Sequence, residues 1–129
     1  MKQSTFMEKY PIWSLEILKS ETDVENINEI CAYFTQKVDE HPKAAYIGVF
    51  DHFDHTKNQD GGEIHSDIKA AKIVVFCFGP KIPNPQVLAV RPRSIGICDM
   101  GDRYVISFLE APAENINTIM EGWAKALKK

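Results

Sequence analysis

Val24, Ile27, Ile30, Cys31, Phe34 and Val38 recur at steps of three, three, one, three and four residues. At 3.6 residues per turn these positions fall on one stripe of a helix. A helix with one apolar stripe has to lay it on something flat and apolar. In a chain that also carries strand-like runs, that surface is a sheet. Thr22 and Glu25 stand at capping-box spacing, which predicts a helix beginning at Asp23. His41-Pro42 ends it near Glu40, because the residue before a proline is pushed out of the helical region.

The strand-like runs lie on both sides of this helix. Residues 10–20, YPIWSLEILKS, read as a first strand and residues 44–52, AAYIGVFDH, as a second. Residues 72–78, KIVVFCF, are apolar on both alternating faces. Such a strand is covered on both sides, or by a helix on one side and a dimer partner on the other. Residues 87–98, VLAVRPRSIGIC, read as an extended run interrupted by Pro92, which places it at an edge or on a bulge. Asp99-Met100-Gly101-Asp102 is a tight turn, and RYVISFLE, residues 103–110, returns from it. Pro112 opens a second helix with the stripe Ile116, Ile119, Met120, Trp123, Ala124 and Leu127. The expected architecture is a single α+β domain over residues 1–129. It is a two-layer sandwich of about five mostly antiparallel strands, with two amphipathic helices on one face.

At 129 residues the chain has room for one ordinary domain. Fifteen Lys and Arg against eighteen Asp and Glu, net −3, argue against a nucleic-acid binder, which concentrates cations. No apolar run approaches the roughly 20 residues that cross a bilayer, so no membrane partner is expected. The N-terminal residues lack the apolar core of a secretory signal. Cys31, Cys77 and Cys98 are odd in number and widely spaced, as reduced packing thiols are. These features make a cytoplasmic location the expectation.

The chemistry is unevenly distributed. Three of the four histidines fall between residues 52 and 65, in a segment that carries five carboxylates between 51 and 67 against one lysine. Asp51, His52, Asp54, His55 and His65 supply the imidazoles and carboxylates that bind divalent transition metals. If the chain turns helical after His52, His52 and His55 share a face. The competing reading is a solvated acidic loop, a long connection (53–71) in which Ser66 caps a short helical turn. All three arginines, Arg91, Arg93 and Arg103, lie within thirteen residues. In a regular strand, positions 91 and 93 project from one face, and two guanidinium forks suit a carboxylate or phosphate. Pairing with Asp99, Asp102 or Glu110 is the alternative. Just upstream, GPKIPNPQ carries Lys81 among three prolines, a stiff loop fit to form the wall of a site. If the strands 44–52 and 72–78 run parallel, the histidine and proline loops share one end of the sheet; if antiparallel, they separate.

The run FCFGPKIPNPQVLAVRPRSIGICDMGDRYVISFLEAP, with VFDHFDHT upstream, resembles a small family of uncharacterised bacterial proteins classed as a domain of unknown function. The similarity spans nearly the whole chain. It implies a bacterial cytosolic protein of this size, and no activity. The residues themselves point to a dimeric, non-enzymatic domain that binds a small anion, with Arg91, Arg93, Arg103 and Lys81 as the candidate ligands, or a protein partner. The alternatives are a metal protein built on Asp51, His52, Asp54, His55 and His65, and a pure interaction module.

Overall fold

The computed structural model describes residues 1–129. Its strands are β1 (Lys2–Phe6), β2 (Tyr10–Leu18), β3 (Ala44–Asp51), β4 (Ala70–Phe78), β5 (Arg93–Asp99) and β6 (Arg103–Leu109). They form one sheet in the order β1-β2-β6-β5-β4-β3, with every neighbouring pair antiparallel. The helices are α1 (Ile27–Glu40), α2 (His52–Lys57) and α3 (Glu114–Lys125). The apolar stripes of α1 and α3 join the same buried cluster, so both helices pack on one face of the sheet. Phe34, Ile30 and Val38 of α1 and Met120 and Ala124 of α3 are sealed from solvent there. They meet Val74, Phe76, Ile95, Tyr104 and Ile106 from the sheet. No helix is long and apolar enough to cross a membrane.

The α+β architecture stands as expected, with six strands in place of about five. The additional strand is β1, joined to β2 by a turn in which Met7 and Glu8 both take left-handed backbone angles (φ 54° and 59°). Hairpin turns of this kind favour Asn-Gly or Asp-Gly. Met-Glu carries no such signal, so the sequence does not announce the hairpin.

Four boundaries move for local reasons. Helix α1 begins at Ile27, after Asn26, whose Oδ1 accepts from the Glu29 N–H at 2.9 Å. The Thr22–Glu25 box does not form; Glu29 reaches back to the Glu25 N–H instead. Asn is as good a cap as Thr, and it lies closer to the stripe. The extended run expected over 87–98 is half right. Pro85–Val90 is a 3-10 helix, opened by Asn84 accepting from the Val87 N–H, and only Arg93–Asp99 pairs as strand. The Arg91–Pro92 peptide between them is cis. The helical turn expected from Ser66 to Ala71 is absent, because Ala70 already pairs with Asp99. Helix α2 occupies the start of that connection, capped by Asp51 through the Asp54 N–H.

The antiparallel pairing of β3 with β4 answers the topological question left by the sequence. At one end of the sheet lie the C-terminus of α1, the start of β3, the end of β4, the start of β5 and the N-terminus of α3. At the other end lie α2 and the histidine segment. The histidine and proline loops do not share a cleft.

Candidate ligand-binding site

A cavity of about 560 Å³ opens at the proline-loop end of the sheet. Three connections and one helix build it. The residues that stop α1, His41-Pro42-Lys43, form one wall. The end of β4 and the following loop give Phe78, Gly79 and Pro80, and the 3-10 helix gives Val87 and Val90. Arg91 enters from the end of that 3-10 helix and Arg93 from the start of β5, and Ala111, Pro112, Ala113, Asn115, Ile116 and Ile119 close the cavity along the first turns of α3.

Its electrostatics are one-sided. Lys43, Arg91 and Arg93 line it, with His41 beside them, and no Asp or Glu does. Arg93 is 8% exposed. Its Nη2 donates to the Leu109 carbonyl, but its buried Nε has no protein partner. Burial pushes Arg93 below the ordinary guanidinium range, since desolvation disfavours its charge. A guanidinium starts so far above neutrality that it stays charged, and a buried charge without a counter-ion is costly until an anion meets it. Arg91 lies beside it, held by an Nη1 bond to the Lys81 carbonyl at 2.9 Å. Its guanidinium rests against Gly79 (φ 154°), where an added Cβ would come within 2.9 Å of Nη1. Glycine therefore leaves the space in which Arg91 sits.

The N-terminus of α3 adds a further positive pole. Ala113 occupies the cap position and offers no side-chain bond to the first turn. The first backbone N–H groups of a helix lack intrahelical partners and favour negative charge. Glu114 is in this turn but does not line the cavity. The approach to the helix is fixed by Asn117, which is buried. Its Oδ1 accepts from the Ala111 N–H at 2.9 Å, and its Nδ2 donates to Glu121 at 3.0 Å. Asn117→Ala is expected to lose about 1–3 kcal/mol in urea unfolding, because it leaves a buried N–H unsatisfied.

Apart from Asn115, the rest of the lining is apolar. Phe78, Val87, Val90, Ile116 and Ile119 face the cavity. Phe78 stacks on Trp123 with ring centroids 5.9 Å apart, and the His41 ring meets Phe78 edge-on at 5.1 Å. His41 Nδ1 accepts from the Lys43 N–H at 3.2 Å, so a neutral ring carries its proton on Nε2. The whole is a mainly apolar cavity with its cations, Lys43, Arg91 and Arg93, unopposed by any carboxylate in the lining.

Of the residues proposed from sequence, Arg91 and Arg93 come together here, although Arg91 lies outside the strand. Two others do not. Lys81 contributes its carbonyl to Arg91 and does not line the cavity. Arg103 is at the far end of the sheet, beside Asp102 at 3.0 Å and Glu16 at 3.7 Å. Its neighbours are the acidic side chains of its own hairpin and of β2. His41, Lys43, Asn115, Ile116 and Ile119 were not foreseen as site residues. They lie in the segment that follows α1 and in the first turns of α3, and the sheet order brings them together.

The histidine segment gathers less. His52 and His55 do share a face of α2, with ring centroids 5.8 Å apart and Phe50 against both. Each has one ring nitrogen engaged, His52 Nδ1 with Thr56 at 2.9 Å and His55 Nε2 with Gln59 at 2.7 Å. Asp51 caps α2 and lies 3.7 Å from Lys72, while His65 is beside Asp67. No three of the His, Cys, Asp or Glu residues assemble into a group that could hold a metal ion. The three cysteines are free, and burial pushes the Cys31 and Cys98 thiols up, away from thiolate chemistry.

Residues 1–129 match a family of unknown function (DUF6858). No curated protein matches the chain.

Proposed function

The chain belongs to this family of unknown function, and we propose from the site itself that it binds a small amphipathic anion, a carboxylate or phosphate head on an apolar body. The observation that carries the reading is Arg93. It is an arginine 8% exposed as a residue, with a buried and unpartnered Nε, at a cavity lined by two further cations and no carboxylate. The head is held by Arg93 and Arg91, whose paired donors suit planar oxyanions, with Lys43 and the first turn of α3 adding field. The body lies along Phe78, Ile116 and Ile119. The proline loop holds its shape before binding, so less ordering entropy opposes the complex.

The function is binding. Nothing in the lining pairs a nucleophile with a base, so the site is read as a receptor and not as a reaction centre. Sodium octanoate is a suitable probe, with octanol as the uncharged control. Octanoate is expected to raise the melting temperature in a concentration-dependent way, since a ligand of the folded state stabilises by about 2.7 kcal/mol at one hundred times its Kd. Octanol at the same concentrations is expected to leave it unchanged. Equal stabilisation by the two, or none by octanoate or octyl phosphate, overturns the reading.

A further inference from the structure

The other face of the sheet carries neither α1 nor α3; α2 touches it at the β3 edge, where the His52 and His55 rings lie on Phe50. β4 buries Val74, Phe76 and Phe78 under α1 and α3, while Ile73, Val75 and Cys77 point the opposite way and are partly exposed. The register extends this surface across the strands. Val75 stands beside Ser94, Ile73 beside Gly96, and Gly96 beside Ser107, with Val105 in the next row. Across the six strands the charged residues on this face are Lys2 on the β1 edge, Glu16 and Arg103. Glu16 and Arg103 sit toward one end and lie 3.7 Å from each other.

We propose that this face is the interface of a homodimer, packed sheet against sheet with a second copy of the chain. Three observations select a second copy. The first is area. Six strands about 4.8 Å apart, with about seven residues each at roughly 3.4 Å, give a face of roughly 700 Å². Two such faces bury about 1,400 Å², within the range of roughly 1,200–2,000 Å² that stable complexes use. The second is charge. The chain carries −3 overall, yet this face holds only Lys2 at its edge and the paired Glu16 and Arg103, so two copies meet without the net negative repulsion the rest of their surfaces would impose. The third is shape. Glycine and serine at positions 94, 96 and 107 make the centre low between the larger Ile73, Val75 and Val105, and a twofold axis sets each ridge of one copy against the hollow of the other. Aligned sheets pack in this way about 10 Å apart.

Sedimentation velocity of the full chain tests this. A species of twice 14.6 kDa is expected. Ser94→Arg places a charge on an exposed position of the face and leaves the core untouched, and Val75→Lys places one at a half-buried position one strand away. Both are expected to weaken the dimer at least tenfold, with circular dichroism unchanged for Ser94→Arg. A wild-type chain that sediments only as monomer at high micromolar concentration overturns the proposal. So does a folded Ser94→Arg protein that dimerises as tightly as the wild type, or a dimer abolished only by substitutions on the β3 edge such as Ile47→Lys.

Discussion

Arg93→Met is expected to remove at least nine-tenths of the affinity for octanoate while changing stability by no more than about 1 kcal/mol. The two halves of this result have different causes. Hydrogen bonds to charged groups contribute about 1.5–3 kcal/mol each, so losing the buried guanidinium weakens binding roughly ten- to hundredfold. Methionine fills similar volume with no charge. Replacing a buried ion by a well-packed apolar residue is commonly neutral or stabilising, because the desolvation cost disappears with it. The lost bond to the Leu109 carbonyl is a small debit, since Leu109 is 48% exposed and water can reach that strand end. Isothermal titration with octanoate reads the first half, and urea unfolding reads the second. A variant that binds as well as wild type contradicts the assignment of Arg93 to the anion. One that loses several kcal/mol shows Arg93 to be structural.

Phe34→Ala is expected to lose about 3–5 kcal/mol, the range for deleting a buried aromatic ring from a packed core. Phe34 is fully buried at the middle of the α1 stripe, edge-on to Tyr33 at 5.2 Å. It packs in the cluster that joins α1 to the sheet and to α3. Against a total of about 5–15 kcal/mol for a domain, this is a large fraction. Thermal unfolding is expected to shift down by roughly 10–20 °C. Loss of less than about 1 kcal/mol would mean that the two layers do not meet at Phe34. Because α1 ends at His41, the same substitution is also expected to loosen one wall of the cavity and weaken octanoate binding in the fraction that remains folded.

The parts of the fold that the sequence announces are those where one physical requirement acts locally. The stripe of α1 is visible because a helix on a sheet needs a repeat near 3.6. The Asp99–Asp102 turn is visible because Gly101 has to take φ 96°, and the Asp99 carboxylate accepts from its N–H at 2.9 Å. Pro92 is visible as a break because it cannot donate to a ladder, and β5 does start just after it. β1 is hidden, because its turn uses Met7 and Glu8 where Asn and Gly are usual. The 3-10 helix is hidden inside an apolar run that reads equally as a strand, and Asn84-Pro85 was the signal for it: a cap followed by proline at the first position.

The candidate site was legible in its charged half. Three arginines within thirteen residues and a stiff neighbouring loop located Arg91 and Arg93. The remaining half depends on long-range order. His41 reaches Phe78 only because β3 runs antiparallel to β4, which returns the chain after α1 to the place where β4 ends. Ile116 and Ile119 reach the same place because β6 ends beside the start of β5. Neither adjacency leaves a pattern in neighbouring residues. The histidine segment shows the converse. His52 and His55 lie together as helical spacing predicts, yet Asp51 is held by α2 and Lys72, and His65 is elsewhere.

The central claim is that the cavity between the proline loop and α3 receives an amphipathic anion. A ¹H–¹⁵N correlation spectrum of the labelled chain, titrated with sodium octanoate, tests it most directly. The backbone signals of Gly79, Arg91, Arg93, Asn115, Ile116 and Ile119 are expected to move together and saturate, while those of His52, His55 and Arg103 stay fixed. Shifts that fail to saturate, or that fall at the histidine end of the sheet and spare Arg93 and Ile116, would contradict the account.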